Sequence, residues 1–189
     1  MTFQLVEPIL LIGLGGVGAR LAEKAKKSLN SDCLLISHDQ KDLTIENSIK
    51  ISTKSVVNPS THLIRGSTLE TSDEIKKNIA NYSTVILMSN LAGKAGTGIG
   101  PIVSRICKQE QKNLLSFVVM PFKFEKERIF QSGIALKRIR QDSQCTIVVD
   151  NDALLDSNPD LTQNQCYDIS NKAIESMMHS LKSSEISGD

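Results

Sequence analysis

The segment ILLIGLGGVGARLAEKAKKSLN, residues 9–30, joins an apolar run to glycines at 13, 15, 16 and 18, and then to a stretch with apolar residues at helical spacing. A strand that passes through glycines straight into a helix presents free backbone N–H groups and the positive helix end to an anion. No Cβ holds the anion away. Phosphate is the natural guest of such a turn.

Outward from this segment the same plan recurs. Apolar runs lie at 8–13 (PILLIG), 33–37 (CLLIS), 84–89 (TVILMS), 114–120 (LLSFVVM) and 145–149 (CTIVV). Their hydrophobicity is continuous, as in strands buried on both faces of a parallel sheet. Between them, residues 19–30, 71–82, 100–113 and 130–143 carry apolar side chains three and four apart, which predicts helices. The alternation predicts an α/β, Rossmann-like parallel sheet flanked by helices. Residues 44–67 break the rhythm; an irregular excursion with one short strand, IKIS (49–52), is expected there. Residues 164–184 read as one long closing helix, with Tyr167, Asn171, Ile174, Met178 and Leu181 on one face. A single domain over 1–182 is expected, with 183–189 (SSEISGD) as a loose end.

Composition excludes several functions. With 22 basic and 21 acidic side chains the formal net charge is +1, so nothing draws the chain to nucleic acid or an anionic membrane. Cys33, Cys107, Cys145 and Cys166 lack metal-binding spacing and suit a reducing compartment. The first residues, MTFQLVEP, carry no signal-peptide pattern, and no membrane-length apolar run occurs, so a cytoplasmic location is expected.

Two readings of the glycines compete. Gly13-x-Gly15-x-x-Gly18 fits the fingerprint of dinucleotide-dependent or adenylating Rossmann-type enzymes, and Asp39 follows at the distance expected of a ribose-binding acid. A dinucleotide enzyme needs only one such loop, however. NLAGKAGTGIGP (90–101) repeats the strand, glycine turn and helix elsewhere. Two helix starts facing each other can clamp a chain of several phosphates.

The ordered motifs GLGGVGARLAEKA, ISHDQKDL, AGKAGTGIGPIVSRI, VVMPFKFEKER, VVDNDALL and YDISNKAI resemble the nucleotide-binding domain of the FtsZ and tubulin GTPases, from about residue 8 to 182. The resemblance implies a tubulin/FtsZ-type sheet ending in the long core helix, with GTP or GDP across its C-terminal edge and assembly into protofilaments. Gly15, Gly16 and Gly18 would form the first phosphate loop, and Asp39 would lie on the phosphate and magnesium side. Gly93, Gly96, Thr97 and Gly98 would form the signature loop. Glu125 would accept from the ribose hydroxyls and Arg128 would reach sugar or phosphate. Asn151 would meet the guanine edge, with Tyr167 stacked on the base and Asn171 bonded to its edge. The implied partners are guanine nucleotide and either a second copy or a full-length FtsZ/tubulin-like protein.

Three departures qualify the resemblance. The signature Gly-Gly-Gly-Thr-Gly-Thr-Gly reads Ala92-Gly93-Lys94-Ala95-Gly96-Thr97-Gly98, and residues 58–74 replace a glycine-rich loop expected to sense the terminal phosphate. In the family, hydrolysis is completed by acidic residues that follow the core helix and are donated by the next subunit. SSEISGD has no Asn-x-Asp-x-x-Asp pattern, so the chain is expected to bind nucleotide better than it hydrolyses it. A nucleotide-free scaffold that modulates filaments is the third reading, favoured by Lys94 and Ala95.

Overall fold

The computed structural model describes residues 3–54 and 56–184, with side chains through Leu181. The strands are β1 (Ile9–Leu14), β2 (Asp32–Ser37), β3 (Ser48–Lys50), β4 (Thr84–Asn90), β5 (Asn113–Met120) and β6 (Cys145–Asp150). The helices are α1 (Gly15–Leu29), α2 (Thr61–Glu70), α3 (Ser72–Ile79), α4 (Lys94–Gln109), α5 (Lys126–Asp142), α6 (Asn151–Ser157) and α7 (Gln163–Ser184). The six strands form one sheet in the order β3-β2-β1-β4-β5-β6 with every pairing parallel.

Alternate side chains of each strand feed opposite layers. Leu10, Ile12 and Leu14 of β1 pack with Ile64 of α2, Ile75 and Ile79 of α3, and Ile99, Val103 and Ile106 of α4. Ile9 and Leu11 enter the other layer, with Ala22 and Ala25 of α1 and Ile174 and Met178 of α7. Both faces being covered is why these strands read as unbroken apolar runs. The edge strand β6 is only partly buried along its length.

The expected sheet and closing helix are present; two local expectations are corrected. Inside the expected irregular excursion lies α2, whose N-terminus is capped by Ser60 accepting from the Leu63 N–H at 3.2 Å. It buries only Thr61, Ile64, Ser67 and Thr68, a face too poor in apolar residues to show helical periodicity. The short strand does form, as β3. The spacing predicts both glycine clusters to precede their helices, yet α1 already begins at Gly15 and α4 at Lys94. Gly15, Gly16 and Gly18, and Gly96 and Gly98, therefore lie in the first helical turns, while Gly13 ends up in β1 and Gly93 just before α4.

A proline within α4 has a consequence for α2. Pro101 has no N–H to give the Thr97 carbonyl four residues earlier. Arg65 of α2 donates its Nη2 to that carbonyl at 3.5 Å instead. Residues 183 and 184 are the last of α7, and 185–189 of the expected loose end lie outside the described residues.

Candidate functional site

In a sheet of this order the chain reverses direction between β1 and β4, and the crevice beyond their C-terminal ends is where open α/β sheets receive ligands. Here β1 leads into α1 on one face and β4 into α4 on the other, and the two helix starts touch. Gly15 has φ +64, a conformation that favours glycine, and a Cβ on it would lie 2.8 Å from the Ala95 Cβ. Each helix is also pressed onto the sheet through a glycine. A Cβ at Gly18 would collide with the Met88 carbonyl oxygen of β4, and one at Gly96 with the Asn90 carbonyl oxygen. Neither α1 nor α4 has an acidic residue in its own first turn, although the Asp42 carboxylate reaches the start of α1 from outside the helix.

Two hollows open over this junction. The first, about 630 Å³, is lined by Val17 and Arg20 of α1, Asn90 and Gly93 at the β4–α4 turn, Arg128 of α5, and Asn164, Tyr167, Asp168 and Asn171 of α7. The second, about 650 Å³, is lined by His38, Ser60, Lys94, Thr97, Glu127 and Gln131 among others. Ala92, Gly93 and Arg128 border both, so the two adjoin across the β4–α4 turn.

The aromatic end is built by packing. Tyr167 and Asn171 lie one turn apart on α7 and both line the first hollow. The Tyr167 ring meets Phe122 edge-on at 5.6 Å, and Phe122 stacks on Phe124 at 5.1 Å. Burial first, and then the Glu125 charge, push the Tyr167 phenol up; Arg128 and a hydrogen bond with the Asn90 side chain act against them. Asn90 also accepts from the Ala92 N–H at 2.9 Å, which shapes the turn into α4.

The remaining residues expected at the site divide into those that line it and those that support it. Gly93, Thr97 and Arg128 line the hollows. The Thr97 hydroxyl turns back to the Gly93 carbonyl at 3.1 Å. Gly15, Gly16, Gly18, Gly96 and Gly98 lie behind the walls, and a Cβ at Gly98 would press on Ile64 of α2 at 2.9 Å. Glu125 lines neither hollow. One of its carboxylate oxygens accepts from the Phe122 N–H at 3.0 Å and the other holds the Arg128 guanidinium at 3.1 Å. Asn151 is wholly buried beneath α7, accepting from the Ser170 hydroxyl, and its side-chain N–H₂ has no partner among the described residues. Its neighbour Asp152 accepts from the Lys123 N–H at 2.8 Å, tying down the segment that carries Phe122 and Glu125.

Asp39 lines neither hollow: it is exposed and accepts from the Lys41 N–H at 3.0 Å. The carboxylate against the first glycine turn is that of Asp42. One oxygen lies 2.8 Å from where a Gly16 Cβ would be, and the other accepts from the Ser37 hydroxyl at 2.6 Å. Sequence reading also missed Arg20, Asn90, Asn164, Asp168 and His38. Arg20 carried a legible signal, a cation in the second turn of a helix whose start offers N–H groups. The others depend on chain segments far apart in sequence.

Magnesium at a phosphate site is held by one or two carboxylates together with the phosphates. Neither Asp39 nor Asp42 lines a hollow; Asp168 shares the first hollow with Arg20 and Arg128, and Glu127 shares the second with the Lys94 ammonium. The carboxylates on the walls are thus single and accompanied by cations, a donor set that does not suit a resident divalent ion. No group of three candidate metal ligands occurs among the described residues, and none of their helices is long and apolar enough to cross a membrane.

Comparison with known proteins agrees with this geometry. Residues 61–159, just over half of the chain, match the Tubulin/FtsZ family, GTPase domain. Cell division protein FtsZ 2 of Halobacterium salinarum is 26% identical over 180 residues, covering 88% of this chain and 44% of that protein. Cell division protein FtsZ of Haloferax mediterranei is 33% identical over 115 residues, covering 60% of this chain and 30% of that protein. The chain thus spans less than half the length of these relatives. Among solved structures, an empty FtsZ dimer from M. jannaschii superposes with a TM-score of 0.81 at 21% identity, over 96% of this chain and 55% of that one. CetZ from Methanosaeta thermophila superposes with a TM-score of 0.73 at 18% identity, over 92% of this chain and 53% of that one. With this sheet order, two glycine-built helix starts at its switch point and a matching family profile, the chain belongs to the tubulin/FtsZ family as a GTPase-domain member.

Proposed function

We propose that the adjoining hollows bind a guanine nucleotide, GTP or GDP, with the base at Tyr167 and Asn171 and the phosphates over the starts of α1 and α4. The observation that carries this reading is the direct contact of the two helix starts at Gly15 and Ala95, with the Tyr167 and Asn171 face of α7 lining the same hollow. Each helix end contributes about 0.3–1 kcal/mol toward an anion, and stacking on an aromatic ring about 1–3 kcal/mol. In this arrangement Gly15 and Gly16 give the phosphates a start of α1 without side chains, and Gly18 seats that start on β4. Arg128, held by Glu125, spans the join between base and phosphate ends. Asn151 acts from behind by fixing α7, and Gly96 and Gly98 act by seating α4.

The chain is further proposed to serve a cell-division or cytoskeletal filament, either with copies of itself or with a full-length relative, and to bind nucleotide better than it turns it over. In-line hydrolysis needs a positioned water, and Glu127, the carboxylate on the wall of the second hollow, shares that hollow with Lys94.

Calorimetric titration of nucleotide-free protein with GTP, GDP, ATP and NAD tests the assignment. Saturable, guanine-selective binding that weakens about tenfold or more in Tyr167→Ala is expected from the loss of stacking. Asn171→Ala should narrow the preference for guanine over adenine. Binding of NAD or ATP instead would support a dinucleotide-dependent or adenylating enzyme; a folded protein that binds none of the four would support a scaffold.

A further inference from the structure

Lys94 stands where the family signature has glycine, and its surroundings give it a specific task. It is the first residue of α4 and lines the second hollow, which Tyr167 does not border. Its ammonium donates to the Asn58 side-chain oxygen at 2.7 Å and to the Pro59 carbonyl at 3.0 Å. An ammonium has three N–H donors, so one is left for a ligand. The N-terminal end of α2, at Ser60 and Thr61, lines the same hollow, as does Arg128. Glu127 is the one carboxylate on these walls. A chain of phosphates running from the first hollow past Gly93 therefore ends against a fixed cation, where a divalent ion would be repelled.

We propose that Lys94 is the counter-charge for the terminal phosphate, so that this protein binds nucleoside triphosphate without a divalent metal and prefers it to the diphosphate. The inference rests on the nucleotide reading of the site. Asn58 and Pro59 act as a cradle that aims the ammonium, reducing the side-chain freedom lost when phosphate arrives. A charge-assisted hydrogen bond to phosphate is stronger than a neutral one, and a triphosphate brings its last phosphate within reach where a diphosphate stops short.

The test measures GTP and GDP affinity by calorimetry, in excess magnesium and in chelator, for the unchanged protein, Lys94→Gln, Lys94→Arg and Asn58→Ala. In the unchanged protein, GTP affinity is expected to differ by less than about threefold between the two buffers, and GTP to bind more tightly than GDP in chelator. Lys94→Gln keeps a donor for Asn58 but loses the charge. It should weaken GTP in chelator about tenfold or more and GDP far less, with Lys94→Arg retaining the preference. Asn58→Ala, which frees the ammonium from half of its cradle, should narrow the preference for GTP, but less than Lys94→Gln does. An unchanged protein that loses GTP about tenfold or more in chelator would overturn the proposal. So would an unaltered GTP-to-GDP ratio in Lys94→Gln, which would make Lys94 a structural tether. Binding of neither nucleotide by the unchanged protein in either buffer would overturn the nucleotide assignment itself, a distinct result.

Discussion

Gly18 and Gly66 illustrate how little residue type says without its surroundings. Both are glycines within helices. A Cβ at Gly18 would run into the Met88 carbonyl of β4, whereas a Cβ at Gly66 meets nothing within 4 Å on an exposed face of α2. Gly18→Ala must push α1 off the sheet and is expected to cost about 2 kcal/mol or more, in the range of overpacking. Gly66→Ala should stabilise by about 0.5–1 kcal/mol through helix propensity. Urea unfolding of the two variants checks both signs. At the same scale, His38 gives the molecule a pH dependence. Burial first holds its imidazole below the ordinary value, with Asp39 and Asp42 pulling it up and Lys94 and Lys50 pushing it down. The folded protein then binds a proton less readily than the unfolded chain, so stability is intact above about pH 6.5 and declines as pH falls toward the lowered folded value. His38→Gln should flatten that part of the stability profile below about pH 6.5, followed by urea midpoints.

Among the elements, α7 and the β6–α6 turn work as a pair. Asn151 reaches α7 through Ser170, and Asp152 reaches the Lys123 backbone. Ser170→Ala would leave a second polar group of the buried Asn151 without a partner, at an expected cost of about 1–3 kcal/mol, read from the urea midpoint. Asp152→Ala would release the segment holding Phe122 and Glu125. Nucleotide affinity should then fall through misplacement of Tyr167 and Arg128, with a smaller loss of stability. The periodicity of α1, α4 and α7 was legible because each covers an apolar face of the sheet, and that of α5 although it buries only Ser132, Ala135 and Ile139. That of α2 was not, because Arg65 and Ser60 hold it through polar contacts.

For the molecule as a whole, the two layers over the sheet set the reactivity of the thiols. Cys107 lies inside one layer and burial pushes its thiol up to about 12; Cys33 lies inside the other, and burial together with Glu23 pushes it up to about 11. At pH 8 both should resist alkylation in the native protein and react once it is unfolded, whereas Cys145, half-exposed on the edge strand, should react first. Peptide mapping after timed iodoacetamide labelling checks the order.

The parallel sheet, its helical layers, the two glycine-built helix starts and the pairing of Tyr167 with Asn171 could all be read from the sequence. They depend on local spacing, and local spacing follows from backbone geometry. Only the tertiary structure decided that Asp42 rather than Asp39 approaches the first glycine turn, that Glu125 and Asn151 stand behind the hollows, and that Lys94 is aimed by Asn58 and Pro59. Those outcomes turn on which long-range partner satisfies each polar group. That choice is made when segments far apart in sequence pack, since a buried donor or acceptor takes whatever partner the fold brings within hydrogen-bond distance.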